Sequence, residues 1–203
     1  GLDIGCGASC IYSMLATRFF RNTTMITSEI DSKSVELARA NVKANHLSNR
    51  ITILDVPPSY SQQQEENSIV GGPLQRSIQG WEDNQKCVNT QSNFALDFVM
   101  TNPPFYDPSS MELSTARVGD GRSRTNMTVS EGNYPGGEVG FVIEMIEDSL
   151  RMNNSVATWY SSMLGKKTSL IKLQKLLLRI IGPAHVEVAE YGPGQYTRWF
   201  LAW

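Results

Sequence analysis

Gly1-Leu2-Asp3-Ile4-Gly5-Cys6-Gly7-Ala8-Ser9, answered by Ile26-Thr27-Ser28-Glu29-Ile30-Asp31, decides the fold of this 203-residue chain. The first stretch is an apolar strand that runs into a glycine turn. Gly5 and Gly7 let backbone approach a ligand closely, and a helix that follows presents free N–H groups to an anion. The dinucleotide fingerprint would place a third glycine at position 10, where Cys10 stands. A lone glycine turn is weak evidence, but the second stretch adds an acid at the end of the next apolar run. The spacing suits a β-α-β unit, and Glu29 is placed to bind ribose hydroxyls. The competing reading of Glu29 is a solvated carboxylate at a strand end.

Further along, the apolar run Phe94-Ala95-Leu96-Asp97-Phe98-Val99-Met100 leads into Asn102-Pro103-Pro104-Phe105. A planar amino nitrogen on adenine, cytosine or a glutamine amide is a poor nucleophile, because its lone pair is delocalised. The Asn102 side-chain carbonyl and the backbone carbonyl of Pro103 are suited to accept its two N–H bonds and draw the lone pair out of conjugation. Prolines fix φ and bring carbonyls without competing N–H donors. Phe105 is suited to stack on the flat substrate. A strand that merely ends in a proline turn is the plainer alternative. With glycine turn, ribose acid and Pro-Pro peptide in this order, an S-adenosylmethionine enzyme is the better reading.

Composition sets bounds. Hydrophobic residues make up 40% and charged residues 19%, as in an ordinary globular domain. A net charge of −2 gives no global basic field, so affinity for nucleic acid must come from local clusters. Three cysteines and two isolated histidines, with no Cys-x-x-Cys, argue against a disulfide framework and a zinc site. No apolar run reaches transmembrane length, and no signal peptide is visible. The chain opens inside its first core strand without an initiator Met, which suggests a catalytic core or an incomplete chain.

The pattern predicts a helix over 9–20, a strand over 23–30, a helix from Asp31 or Ser32 to His46, and a strand at 51–54. Residues 57–93, with Pro57-Pro58, Gln62-Gln63-Gln64 and Gly71-Gly72-Pro73, read as a polar surface insertion, disordered in large part. Residues 107–136 read as a substrate loop in which Arg117, Arg122 and Arg124 are suited to phosphates. Helices are expected after Gly136-Gly137-Glu138 and from Leu170 to Ile181, the latter stopped by Gly182-Pro183. A fifth strand spans 157–164, followed by a turn at Gly165-Lys166-Lys167. Residues 186–189 and 197–203 read as a closing pair. The prediction is an α/β fold: a seven-stranded, doubly wound, Rossmann-like class I methyltransferase sheet with an antiparallel edge strand.

Several segments together are specific. Leu2-Asp3-Ile4-Gly5-Cys6-Gly7-Ala8-Ser9-Cys10-Ile11-Tyr12, Asn102-Pro103-Pro104-Phe105, Gly136-Gly137-Glu138, the Trp159 to Leu170 segment and Arg198-Trp199-Phe200-Leu201-Ala202-Trp203 resemble the family of eukaryotic methyltransferase-like protein 16 and bacterial ribosomal RNA adenine-N6 methyltransferase F. Met163-Leu164-Gly165-Lys166-Lys167 points to the eukaryotic branch. The resemblance covers nearly the whole chain outside 57–93, and the family's upstream basic module is expected to be absent. It implies one domain over 1–203 that transfers methyl from S-adenosylmethionine, leaving S-adenosylhomocysteine, to adenine N6 in structured RNA. U6 small nuclear RNA is the expected substrate, with its adenosine unpaired or flipped. It implies cofactor contacts at Asp3, Gly5, Gly7, Ser9, Glu29 and Asn102. RNA contacts are expected at Arg117, Arg122, Arg124, Lys166 and Lys167. No metal, no membrane, a monomer, and a nuclear location with the cytoplasm as second are expected. Two rivals remain: a protein glutamine-amide methyltransferase, which would share the cofactor site but for which Tyr is usual where Phe105 stands, and a non-catalytic RNA-binding module, which would keep the fold without turnover.

Overall fold

The structure, a computed structural model, describes residues 1–57, 71–88, 95–105, 107, 133–152, 156–192, 194 and 196–203. In chain order it contains β1 (Leu2–Ile4), α1 (Ile11–Phe19), β2 (Met25–Glu29), α2 (Ser32–Ala44), β3 (Ile51–Asp55) and α3 (Pro73–Val88). After these come β4 (Leu96–Thr101), α4 (Gly137–Arg151), β5 (Ala157–Leu164), α5 (Lys167–Ile180), β6 (Glu187–Tyr191) and β7 (Arg198–Ala202). The strands form a seven-stranded sheet in the order β3-β2-β1-β4-β5-β7-β6. β1 pairs in parallel with β2 and β4, and β2 with β3. The antiparallel pairing lies at the far edge, where β7 runs against both β5 and β6.

By contact density the chain divides into two compact units. The first comprises Gly1–Thr101 and Met145–Tyr160. β1 is buried along its whole length, as expected of a parallel strand covered on both faces. α2 starts where Asp31 accepts the Ser34 N–H at 2.9 Å, and it buries Val35, Ala38 and Val42, spaced three and four apart. Cys6, Cys10, Met25, Ala38, Val42, Leu47 and Ile51 form one buried cluster. In register, Ile4 stands opposite Ser28 and Thr101, so three parallel strands end at one level. The Thr101 hydroxyl donates to the Ile4 carbonyl at 2.9 Å and locks that edge.

α3 corrects an expectation. Residues 73–88 fall inside the span read as a polar insertion, yet they form a helix that buries Leu74, Ser77 and Ile78. Its amino end is satisfied from a distance. Asp148 of α4, 1% exposed, accepts the Gly72 N–H at 3.1 Å and the Gln75 N–H at 3.0 Å. Pro73 opens the helix, where its missing N–H costs nothing. Ser77 also meets Ser28 of β2, hydroxyl to hydroxyl, at 2.8 Å.

The second unit comprises Asn102–Glu144 and Ser161–Trp203. α5 buries Leu170, Leu173 and Leu177. It begins at Lys167 rather than Leu170, so Lys166 is its N-cap residue and Lys167 lies in its first turn. Two lysines at a helix N-terminus have the wrong sign for the dipole, and α5 has neither a side-chain cap nor an acid in its first turn. The compensating charge comes from Glu138 of α4, described below. Among the described residues, no helix is long and apolar enough to cross a membrane.

Candidate active site

β1 delivers the glycine turn. Gly5 has φ +74° and Gly7 φ +62°, in the left-handed region where a side chain is strained. A Cβ built at Gly5 would meet nothing within 4 Å, so the turn faces open space. The Gly5 and Cys6 N–H groups both donate to the Ser28 carbonyl, at 2.9 and 3.1 Å. No protein acceptor for the Ala8 or Ser9 N–H is found among the described residues. Two unbonded amides ahead of α1 suit an anionic group such as a carboxylate.

Glu29 does more than end β2. It is 4% exposed, and its Oε2 accepts the Gly7 N–H at 2.9 Å. Its Oε1 accepts the N–H groups of Ile30 at 2.8 Å and Asp31 at 3.0 Å. A carboxylate has about four acceptor positions, so three are already in use. Sequence reasoning offers both oxygens to ribose hydroxyls; the structure uses the carboxylate first to tie the glycine turn to β2, leaving room for about one further bond.

Asp3 lies on β1, 1% exposed, and accepts the Ser13 hydroxyl at 2.9 Å. Its carboxylate therefore braces α1 beneath the turn. Burial pushes its pKa up to about 6, and nearby Glu29 adds to the rise, while the Ser13 bond opposes it. The folded form thus binds more protons than the unfolded chain between the ordinary value of 3.8 and about 6. Stability is favoured by this group at low pH and lost as pH rises through about 6. Asp3→Asn should therefore raise stability above pH 7 by up to about 3 kcal/mol, with no gain near pH 4. Urea melts at the two pH values test this; an equal effect at both would reject it. Cys6 and Cys10, both buried, also lie under the turn. The neighbouring Cys10 thiol, and burial after it, push the Cys6 thiol up.

Asn102-Pro103-Pro104-Phe105 follows Thr101 directly. The Asn102 side-chain oxygen is buried and has no hydrogen-bond partner among the described residues. An acceptor in that condition is costly, and it is available to an incoming donor. The Phe105 ring lies against Gly165, and the Arg198 guanidinium sits over it, 5.8 Å from the ring centroid. Arg198 also stands 6.0 Å from the Tyr196 ring. Sequence reasoning passed over Arg198 as a site residue; the available signal was a cation opening an otherwise apolar strand. Glu138, quoted only as the lead into a helix, is 2% exposed and accepts the Gly165 and Lys166 N–H groups. Lys166 and Lys167 are exposed. Arg117, Arg122 and Arg124 lie outside the described residues, as does Tyr106. Among the described residues no His, Cys, Asp and Glu cluster could hold a metal ion.

A parallel sheet whose last strands reverse, with a glycine turn leaving β1 and a Pro-Pro peptide leaving β4, is the class I methyltransferase arrangement. The chain matches the Methyltransf_10 family model, described as RNA methyltransferase, over residues 1–72 and 74–203, and it belongs to that family. It is 32% identical over 208 residues to the RNA N(6)-adenosine-methyltransferase METTL16 of Homo sapiens, covering 100% of this chain and 32% of that one. It is 30% identical to the U6 small nuclear RNA (adenine-(43)-N(6))-methyltransferase of Caenorhabditis elegans, covering 100% of this chain and 41% of the relative. The human METTL16 catalytic domain, solved with the MAT2A 3'UTR hairpin 1, superposes with a TM-score of 0.72 at 32% identity over 100% of this chain and 62% of that one. The N-terminal domain of human METTL16 in complex with SAH gives a TM-score of 0.64 at 31% identity, over 100% and 60% of the two chains. The chain spans about a third of the length of its vertebrate relatives, 32% of the human one.

Proposed function

We propose that this chain, acting as one methyltransferase domain over 1–203, moves a methyl group from S-adenosylmethionine to N6 of an adenosine in structured RNA. The unpaired, buried Oδ1 of Asn102 carries this reading. Human METTL16 solved with an RNA hairpin and, separately, with SAH supports the same substrate and cofactor. U6 small nuclear RNA is the first candidate, after the relative in Caenorhabditis elegans, and it would place the protein in the nucleus.

The residues present fit the cofactor. Gly5, Gly7 and the amides of Ala8 and Ser9, which have no acceptor among the described residues, suit the cradle, and Glu29 has room for a hydroxyl. S-adenosylmethionine, when bound, supplies a methyl group already activated on a sulfonium. The protein's part is to position and polarise the nitrogen, which asks for neither a metal nor a strong base. Asn102 Oδ1 and the Pro103 carbonyl accept hydrogen bonds from the two N6–H groups, which favours a pyramidal nitrogen whose lone pair is drawn out of conjugation with the ring. Phe105 stacks on an adenine that is unpaired or flipped out of its helix. Arg117, Arg122 and Arg124, with Lys166 and Lys167, meet the RNA backbone.

Labelled cofactor separates the possibilities. An RNA hairpin with an unpaired adenosine should take up methyl, whereas a glutamine-bearing peptide and a hairpin with cytidine in place of that adenosine should not. Labelled peptide would make the protein a glutamine-amide methyltransferase, and hairpin binding without transfer would make it a binding module. Changing Arg117, Arg122 and Arg124 together to Glu should weaken hairpin binding and flatten its salt dependence, because fewer counterions are released.

A further inference from the structure

We propose that Glu138 is a positioning residue for the target base and acts by fixing the wall against which Phe105 rests. This inference builds on the assignment of Phe105 as the stacking surface. Glu138 is 2% exposed, and its carboxylate accepts two adjacent backbone N–H groups: that of Gly165 at 2.7 Å and that of Lys166 at 3.1 Å. These amides belong to the turn between β5 and α5, the helix that lacks a side-chain cap and carries lysines at its start. Glu138 thus supplies from another helix the negative charge that the α5 N-terminus needs.

The turn it fixes touches Phe105. A Cβ added at Gly165 would lie 2.8 and 2.9 Å from two atoms of the Phe105 ring, and 3.4 Å from a Glu138 oxygen. The ring therefore closes on this glycine more tightly than any side chain would allow, while the carboxylate stands at ordinary contact distance. The Arg198 guanidinium also lies over the ring, 5.8 Å from its centroid. Phe105 is itself a loop residue, so its ring takes its position from these neighbours. A base stacked on it inherits that position, and methyl transfer is sensitive to small displacements of the nitrogen. Glutamate suits the task because its two oxygens serve two adjacent N–H groups, whereas glutamine would turn an NH2 toward one of them.

A double-mutant cycle tests this in the longest natural form of the protein. Glu138→Gln weakens the staple. Gly165→Ala leaves the carboxylate in place and pushes the ring directly, which covers the case in which Glu138→Gln does not fold. Each should lower kcat on an RNA hairpin by about tenfold, within the range of a lost base stack, while affinity for S-adenosylmethionine stays within about twofold. In a Phe105→Gly background neither change should cost anything further, because no ring remains to be positioned. A purely structural role predicts the same loss in both backgrounds, and that additivity would overturn the proposal, as would an unchanged kcat in both single variants. If Phe105→Gly alone leaves methylation intact, the assignment of Phe105 fails first and the role of Glu138 falls with it.

Discussion

Phe105→Gly is expected to keep S-adenosylmethionine bound and to lose methylation of an adenosine presented in an RNA loop. The lost stacking surface is worth roughly 1–3 kcal/mol per base, or roughly 5- to 150-fold in rate. Asn102→Ala should cost more, roughly 2–4 kcal/mol by analogy with deleted oxyanion donors, which is roughly 30- to 900-fold. The structure adds a signature that separates function from scaffolding. Because Asn102 Oδ1 is buried without a partner among the described residues, removing it relieves an unsatisfied acceptor, and the Asn102→Ala melting temperature should equal or exceed that of the parent. A structural asparagine would lower it. Robust adenine methylation by Phe105→Gly, or a marked loss of stability in Asn102→Ala, would mean that the base sits elsewhere. Cytidine in place of the adenosine should restore nothing in either variant.

Glu29→Ala should weaken S-adenosylmethionine binding at least about tenfold, since bonds to a charged group contribute roughly 1.5–3 kcal/mol each. From sequence, the substitution is expected to spare the fold. The three backbone N–H groups held by Glu29 revise that expectation, because all three lose their acceptor in a part-buried turn. A stability loss of at least about 2 kcal/mol should accompany the weaker binding. Glu29→Gln keeps one oxygen acceptor, so it should recover part of the stability and less of the affinity. Calorimetry with the cofactor and urea melts of both variants decide this, and unchanged cofactor affinity in Glu29→Ala would remove Glu29 from the site.

The local motifs were legible in the sequence because each is written over a few consecutive residues. Gly5 and Gly7 mark a turn that needs positive φ, and Asp31 marks a helix start beside its own Ser34. The Pro-Pro pair of the tetrapeptide ends β4 by its own chemistry. Alternating strands and helices with two strands at the end specified the sheet and its antiparallel edge. These signals depend on backbone preference and apolar period, which travel with the sequence itself.

What the tertiary structure alone decided is where four carboxylates point. Asp148 reaches across 76 residues to Gly72 and caps the start of a helix in a segment that reads as a polar insertion. Glu138 reaches across 27 to Gly165 and caps a helix whose own lysines oppose it. Asp3 braces α1 through Ser13, and Glu29 spends most of its acceptors on Gly7, Ile30 and Asp31. Arg198 comes to lie over Phe105 only through the pairing of β7 with β5. A carboxylate that satisfies distant amides has no periodic or neighbouring signature, since its donors are backbone groups that every residue carries. Only the folded chain, by excluding water from those amides, determines which acid must answer them.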